Sequence, residues 1–229
     1  MISVVIAAYH GEKYIADQIL SVLPQLGEGD ELLVSDDDPS NPGTAGVVNR
    51  LAQGDDRIKY LTGPSKGVIK NFEFLISTAK GDHIFLCDQD DVWLEGKVEA
   101  VMKEFDRGAD VVMHDAYITD GELNRTGETA FELNHAGTGI IKNIVKNSYQ
   151  GSCMAFRAEL KEYILPFPDR LPMHDQWIGL IGEKHGRVSL IDHPYLLYRR
   201  HGSNLSGNGS SALQKFKWRI DIVGCLLRK

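Results

Sequence analysis

A chain of 229 residues, 42% hydrophobic and 25% charged, has the material for one sizeable core, or for one domain with an appended piece. Its formal net charge of −7 argues against a general nucleic-acid binder, which needs basic surface to neutralise phosphates. No apolar run approaches the roughly 20 residues of a membrane span, and the start Met1-Ile2-Ser3-Val4-Val5-Ile6 lacks the basic region of a signal peptide.

Strand-like and helix-like patterns alternate through the first hundred residues. Segments 2–8, 31–35, 57–61 and 83–87 are rich in Ile, Val and Leu and are predicted strands. Between them, 12–24, 44–53 and 68–79 carry helical periodicity, with Tyr14, Ile15, Ile19, Val22 and Leu23 forming one stripe and Ile69, Phe72, Leu75 and Ile76 another. Such alternation predicts βαβ units and a mainly parallel sheet covered by helices on both faces. The fourth strand runs into Cys87-Asp88-Gln89-Asp90-Asp91-Val92-Trp93, three carboxylates in four residues. Carboxylates so crowded repel one another unless a cation or hydrogen-bond donors compensate. At the C-terminal end of a strand, where open α/β sheets bind ligands, they suggest a hard cation holding a phosphorylated substrate.

A helix over 94–106 and a strand over 110–114 follow. Residues 115–150 mix Gly, Asn and Thr and are expected to form an acceptor-side loop region; 151–157 and 188–199 are predicted strands and 174–186 a helix. The run Gly202 to Ser211 is expected to be a flexible linker or mobile loop. Beyond it, Leu213, Phe216, Ile220, Val223 and Leu227 recur at helical spacing, flanked by Lys215, Lys217, Arg219, Arg228 and Lys229. This amphipathic extension, residues 207–229 after a domain of 1–206, has three occupants open for its apolar stripe: its own domain, a second subunit in a homodimer, or an anionic membrane surface contacted through 212–229. Cys87, Cys153 and Cys225 form neither a disulfide framework nor a zinc spacing, so buried cysteines in a reducing cytoplasm are expected.

Four further clusters bear chemistry. Ala7-Ala8-Tyr9-His10-Gly11-Glu12 ends the first strand and Ser35-Asp36-Asp37-Asp38-Pro39-Ser40 the second; Met173-His174-Asp175-Gln176-Trp177 opens a helix; Tyr198-Arg199-Arg200-His201 ends the last strand. No Gly-x-Gly-x-x-Gly or Gly-x-x-x-x-Gly-Lys-Ser/Thr is present, so a dinucleotide fold and a P-loop are unsupported, and a diphosphate must be neutralised otherwise. His201, ahead of the Gly/Ser/Asn run, is a further metal or diphosphate ligand candidate. Arg199 and Arg200 are candidates for phosphate pairing. Lys66 and Lys70-Asn71 start the third helix, whose N-terminus favours anions. Trp177 is read equally as a ring covering a ligand or as core.

In this order, Ser-Val-Val-Ile-Ala-Ala-Tyr, Ser-Asp-Asp, Lys-Gly-Val-Ile-Lys-Asn-Phe, Asp-Gln-Asp-Asp-Val-Trp, His-Asp-Gln-Trp and Tyr-Arg-Arg-His-Gly-Ser-Asn resemble family 2 glycosyltransferases of the GT-A fold. More narrowly they resemble the rhamnosyltransferase-like branch that builds bacterial O-antigens and capsules. The resemblance spans about residues 2–206. It implies an α/β GT-A domain that moves a sugar, with inversion, from a UDP- or dTDP-sugar to a saccharide or lipid-linked acceptor. Manganese or magnesium would be the metal, and the setting the cytoplasm or the inner membrane face. Ala7 and Tyr9 match positions lining the base, with Glu12 nearby; Asp37, or its neighbour Asp36, matches the contact to the base edge; Asp90 matches the metal ligand. Asp88 and Asp91 would support it through ribose, water or sugar. Asp175 matches the catalytic base, since an inverting transfer needs a carboxylate to take the acceptor hydroxyl's proton. Gly151 and Ser152 match a segment beneath the donor sugar, and Trp93, His174 and Trp177 would line the sugar pocket. The second-strand loop departs from the commonest pattern, Asp38-Pro39 standing where Gly-Ser is usual. The rival activities are a sugar-1-phosphate nucleotidyltransferase, which wants a Gly-rich basic loop after strand one, and an aspartyl phosphatase, whose acid pair follows the first strand. A catalytically inactive carbohydrate-binding scaffold on the same fold is the rival outside enzymes.

Overall fold

The computed structural model describes residues 1–201 and 211–229. In chain order the elements are β1 (Ile2–Ala8), α1 (Ile15–Val22), β2 (Glu31–Asp36), α2 (Pro42–Ala52), β3 (Ile58–Thr62), α3 (Val68–Thr78), β4 (His83–Asp88), β5 (Val92–Trp93), α4 (Lys97–Asp106), β6 (Val111–Thr119), β7 (Arg125–Thr129), α5 (Ala130–Asn134), α6 (Ile140–Val145), β8 (Met154–Arg157), α7 (Lys161–Ile164), α8 (His174–His185), β9 (Val188–Arg199) and α9 (Ala212–Leu226).

One sheet organises the domain, in the order β3-β2-β1-β4-β8-β6-β9-β5, with β7 on β6. Its first half, β3-β2-β1-β4, is parallel throughout, as the strand–helix alternation predicts. Beyond β4 the pairing becomes mixed: β8 lies antiparallel to β4 and β6, β9 runs parallel to β6, and β5 returns antiparallel to β9. The continuous apolar runs of β1 and β4 are explained by burial on both faces, Val4, Val5, Ile6, Ile84, Phe85 and Leu86 being wholly enclosed. Ile15, Ile19 and Val22 of α1 and Phe72, Leu75 and Ile76 of α3 are also fully buried.

Several predicted boundaries shift for local reasons. The helix expected from 44 begins at Pro42, where the proline's missing N–H costs nothing, and the Asn41 side chain caps that end by accepting from Gly43 N at 3.0 Å. The helix expected from 94 begins at Lys97, because Val92 and Trp93 pair with Leu197 and Leu196 as β5. Residues 115–150 are more ordered than a loop region: β6 runs on to Thr119, and β7, α5 and α6 follow, α5 closed by a capping box between Thr129 and Glu132. Gly151–Cys153 is a 3-10 turn rather than the start of a strand. The Gly/Ser/Asn run after His201 lies outside the described residues up to Ser210, and with it the boundary drawn at 206.

Candidate functional site

The C-terminal ends of β1, β2 and β4 share one edge of the parallel half-sheet, since Ala7 pairs with both Ser35 and Asp88, and Ala8 with Asp36. The chain leaves β1 at Tyr9, 58% exposed and stacked on His10 at 4.2 Å between ring centroids. Gln89 spans from the acidic motif to this end: its Oε1 accepts from Tyr9 N at 2.9 Å and its Nε2 donates to Tyr9 O at 3.0 Å. Gly11 makes room for that amide, because a Cβ there would stand 2.3 Å from Gln89 Oε1. His10, left aside in the sequence, faces Asp38 at 2.8 Å, and Glu12 is exposed beside Thr44.

The second-strand acids are turned largely inward. Asp36 is buried and accepts from Tyr60 Oη at 3.1 Å and Asp38 N at 3.2 Å; burial raises its pKa. Those bonds fix the Asp36 carboxyl at the end of β2. Asp37 clasps the turn into α3, accepting from Lys66 N at 3.3 Å and Gly67 N at 2.6 Å. The structure therefore joins Asp37 and Lys66, through the lysine backbone, while the Lys66 side chain is exposed.

In the acidic motif, Asp90 Oδ2 lies 2.8 Å from His201 Nε2, with both side chains only 14% accessible. Tyr14, which the sequence places in a helical stripe, is packed between His201, stacked at 4.9 Å, and the Arg199 guanidinium, 4.4 Å from its ring. Arg199 corrects its expected phosphate role. It is 4% exposed, and its guanidinium donates to Asp90 O, Gly121 O and Asp17 Oδ2, while its backbone N–H donates to Asp91 Oδ1 at 2.9 Å. The arginine thus holds the acidic loop rather than facing solvent. Asp91 is fully enclosed, and burial together with Asp88 and Asp90 raises its pKa. Asp88, the last residue of β4, is raised to about 7 by burial and by the nearby charges of Asp90 and Asp175.

Trp93 was expected near sugar but is core, 3% exposed and packed on Phe85. Against its other face stands Lys97, unnoticed in the sequence: 1% exposed, Nζ 4.0 Å from the Trp93 ring and 2.8 Å from Ser152 O. Burial lowers its pKa to about 8, opposed by the nearby Asp91 and Asp88 among other groups. Lys97 is thus a buried cation that ties the acidic motif to the Gly151–Cys153 turn.

Asp175 occupies the first turn of α8, where Met173 rather than Asp175 is the N-cap residue. Its Oδ1 accepts from Gln176 N and, at 3.4 Å, from Asn147 Nδ2. Burial pushes its pKa up to about 6 despite those bonds, so at neutral pH it is an ionised carboxylate of enhanced basicity with room to accept a proton. Gly151 and Ser152 are buried alongside, and a Cβ on Gly151 would meet His174 Nε2 at 2.9 Å. His174 and Trp177 are both buried. Trp177 is wholly enclosed and donates to Ile164 O at 3.0 Å, and His174 stacks on Phe72 at 3.9 Å, burial lowering its pKa to about 3. An apolar α8 face with its polar tip satisfied internally is core, which decides the open reading of Trp177.

Among the described residues, no three His, Cys, Asp or Glu side chains converge as a ready-made metal cage. Asp90 and His201 nevertheless bring one carboxylate oxygen and one imidazole nitrogen together. A transition-metal dication such as Mn²⁺, which takes imidazole nitrogen as well as carboxylate oxygen, would suit this pair better than Mg²⁺, which prefers oxygen alone.

Comparisons with known proteins agree with this architecture. The sequence profile described as glycosyl transferase family 2 matches residues 3–164. Among curated proteins, the chain is 26% identical over 227 residues to WfgD of Escherichia coli, covering 98% of this chain and 85% of that protein. WfgD is described as a UDP-Glc:α-D-GlcNAc-diphosphoundecaprenol β-1,3-glucosyltransferase. An uncharacterized glycosyltransferase from Nostoc is 25% identical over 221 residues, 92% of this chain and 68% of its own. Among solved structures, residues 1–349 of Staphylococcus aureus TarS with UDP-GlcNAc superpose with a TM-score of 0.78 at 19% identity, over 99% of this chain and 66% of that one. The mannosyltransferase PcManGT of Pyrobaculum calidifontis, with GDP-Man and Mn²⁺, gives a TM-score of 0.66 at 16% identity over all of this chain and 64% of that one. The chain therefore has the GT-A fold and spans about two thirds of the length of these two structures.

Proposed function

The chain belongs to glycosyl transferase family 2 and is a glycosyltransferase of nucleotide sugars, and we propose that it transfers a hexose, with inversion, from a UDP- or dTDP-sugar to a saccharide carried on a lipid diphosphate. The observation that carries this reading is the 2.8 Å contact of Asp90 with His201 just past Asp88, at the edge where the parallel strands end, with the charge of Asp175 felt at Asp88. Tyr9, Ala7 and Asp37 border the space for the base, and the Gln89 clasp fixes the Tyr9 backbone there. Asp90 and His201 would hold the divalent cation. When bound, that cation supplies positive charge to the departing diphosphate. Asp175 takes the proton of the acceptor hydroxyl; it is partly open to solvent, its basicity is raised by burial, and Asn147 fixes its orientation. Gly151 and Ser152, anchored from below by Lys97, support the donor sugar without side-chain bulk.

The lipid-linked acceptor, and with it a place at the inner membrane face in cell-surface polysaccharide synthesis, draws on the likeness to WfgD, which is described as acting on a diphosphoundecaprenol-linked sugar. The test is release of nucleoside diphosphate from UDP- and dTDP-hexoses in the presence of a lipid diphosphate saccharide and Mn²⁺ or Mg²⁺. Acceptor-dependent release, lost in Asp175→Asn while the nucleotide still binds, supports the assignment. Binding without turnover for every donor and acceptor would favour a scaffold that has kept the fold and lost the reaction.

A further inference from the structure

Exposed large hydrophobic side chains are concentrated on two neighbouring helices. Ile141 and Val145 on α6, with Phe216, Ile220, Val223 and Leu227 along α9 and its final turn, are 38% to 80% or more exposed, and they make up six of the ten such side chains among the described residues. The α9 helix is nevertheless docked. Ile222 and Leu226 on its other side are buried, Lys184 Nζ donates to Leu226 O at 2.6 Å, and Arg219 donates from Nε and Nη2 to Val145 O. This corrects one alternative read from the sequence: the stripe of Phe216, Ile220, Val223 and Leu227 is not the face that packs on the domain (the Leu213 side chain lies outside what is described). Arg219 sets that stripe beside α6, so the two apolar rows form a single surface. Soluble monomers rarely leave contiguous patches of this kind uncovered.

The charges around the patch are opposite to those of the chain as a whole. Among the described side chains of 211–229, Lys217, Arg219, Arg228 and Lys229 stand against the single acid Asp221, and Lys142 and Lys146 accompany α6, in a chain of net charge −7. The patch also adjoins the site. Asn147, two residues beyond Val145, reaches Asp175, and Gln176 Nε2 donates to Asn143 O at 2.7 Å, which fixes α6 against the start of α8.

We propose that the α6–α9 face docks on an anionic lipid surface, with its apolar rows entering the headgroup boundary and its lysines and arginines meeting lipid phosphates. The arrangement sets Asp175 beside the bilayer, on the side from which a lipid-linked acceptor would arrive; this purpose, though not the docking itself, rests on the acceptor reading above. Pairing of two copies through the same face would set like cations against one another, since a two-fold interface brings each patch to its own duplicate.

The test is co-sedimentation of the full chain with vesicles of phosphatidylglycerol and phosphatidylcholine, and of phosphatidylcholine alone, without nucleotide or metal. The expected result is pelleting with the anionic vesicles only, weakened about tenfold or more by Ile141→Ser with Ile220→Ser, by Lys217→Glu with Arg228→Glu, and by high salt. All four positions are on the surface, and an unchanged melting temperature shows that the variants fold. Protein left in the supernatant with both vesicle types would overturn the proposal. So would pelleting indifferent to the substitutions, or a dimer in sedimentation velocity that Ile220→Ser dissolves. Because no nucleotide is present, failure here leaves the transfer reading standing, and failure of nucleotide binding leaves this one standing.

Discussion

Gln89 and Tyr9, eighty residues apart, are joined by a two-point clasp in which one side-chain amide takes both hydrogen-bonding groups of the tyrosine backbone, at 2.9 and 3.0 Å. The clasp links the exit of β1 to the acidic motif after β4, so the Tyr9 backbone and that motif are held to one another. It exists because residue 11 has no side chain.

Gly11→Ala is therefore expected to act as a donor-binding mutation without touching the donor. Its methyl group would stand 2.3 Å from Gln89 Oε1, and losing two hydrogen bonds of roughly 1 kcal/mol each predicts up to about thirtyfold weaker nucleotide affinity. Gln89→Ala should match it. Calorimetric titration with UDP checks both; affinity unchanged in each would show that the clasp does not position the base end of the cleft.

Asp175→Asn is expected to cost roughly 10²- to 10⁴-fold in kcat with little change in nucleotide affinity, the range of general base catalysis. In the parent enzyme kcat should rise as pH increases through about 6, where Asp175 ionises. The stability effect has the opposite sign. Its folded pKa lies above its unfolded one, so its favourable contribution is full below pH 4 and is lost as pH rises through about 6. At neutral pH the asparagine variant should then be more stable than the parent, by on the order of 1 kcal/mol once partial solvent exposure is discounted. Thermal melts at pH 7.5 beside steady-state rates test the pair, and a variant both inactive and destabilised would point to a structural acid.

Asp90→Ala and His201→Ala should each weaken metal-dependent nucleotide binding by about ten- to a hundredfold, as the loss of a close partner at a metal site does. Removing the ion with a chelator should reduce the parent to the level of either variant. Titration with UDP across a Mn²⁺ series decides it. If His201→Ala binds like the parent, the imidazole serves only to orient Asp90 through their 2.8 Å contact.

Much of this was legible in the residues. Continuous apolar strands announce a buried parallel sheet, and Asp88, Asp90, Asp175 and His201 stand out because acids and a histidine at element ends are hard to explain as packing. The misreadings concern side chains whose chemistry suits either setting. Arg199 looks like a phosphate ligand until its guanidinium is seen engaged with Asp90 O, Gly121 O and Asp17. Trp177, Trp93 and His174 look like sugar-stacking rings, yet each is enclosed on the side of α8 or β5 that faces the core. Periodicity in α9 identifies an apolar stripe but cannot say that Ile222 and Leu226, on another side of the helix, are the residues that dock. Lys97 gave no signal, because a lysine at the start of a helix is ordinarily a surface residue.

Lys97 also supplies the last prediction. Its ammonium is buried against Trp93 and Ser152 O, with Asp88 and Asp91 close enough to oppose the lowering of its pKa to about 8. A lysine depressed in this way contributes stability that is full above its unfolded pKa of 10.5 and is lost as pH falls through about 8, so at neutral pH it is held charged at a cost. Neighbouring buried groups, Asp91 and Asp88 among them, offset part of that cost. Lys97→Met keeps the bulk and removes the cation, which leaves Asp91 without its compensation and Ser152 O without a donor. Leaving the buried Ser152 carbonyl without its donor predicts a loss of about 1–3 kcal/mol. If charge compensation is the reason, Asp91→Asn in the same chain should recover a good part of the loss, because a neutral amide needs no cation. Urea unfolding of the two single variants and the double variant gives the coupling energy directly. Strictly additive losses would mean that Lys97 serves the packing beneath the 151–153 turn and not the charge balance of the acidic motif.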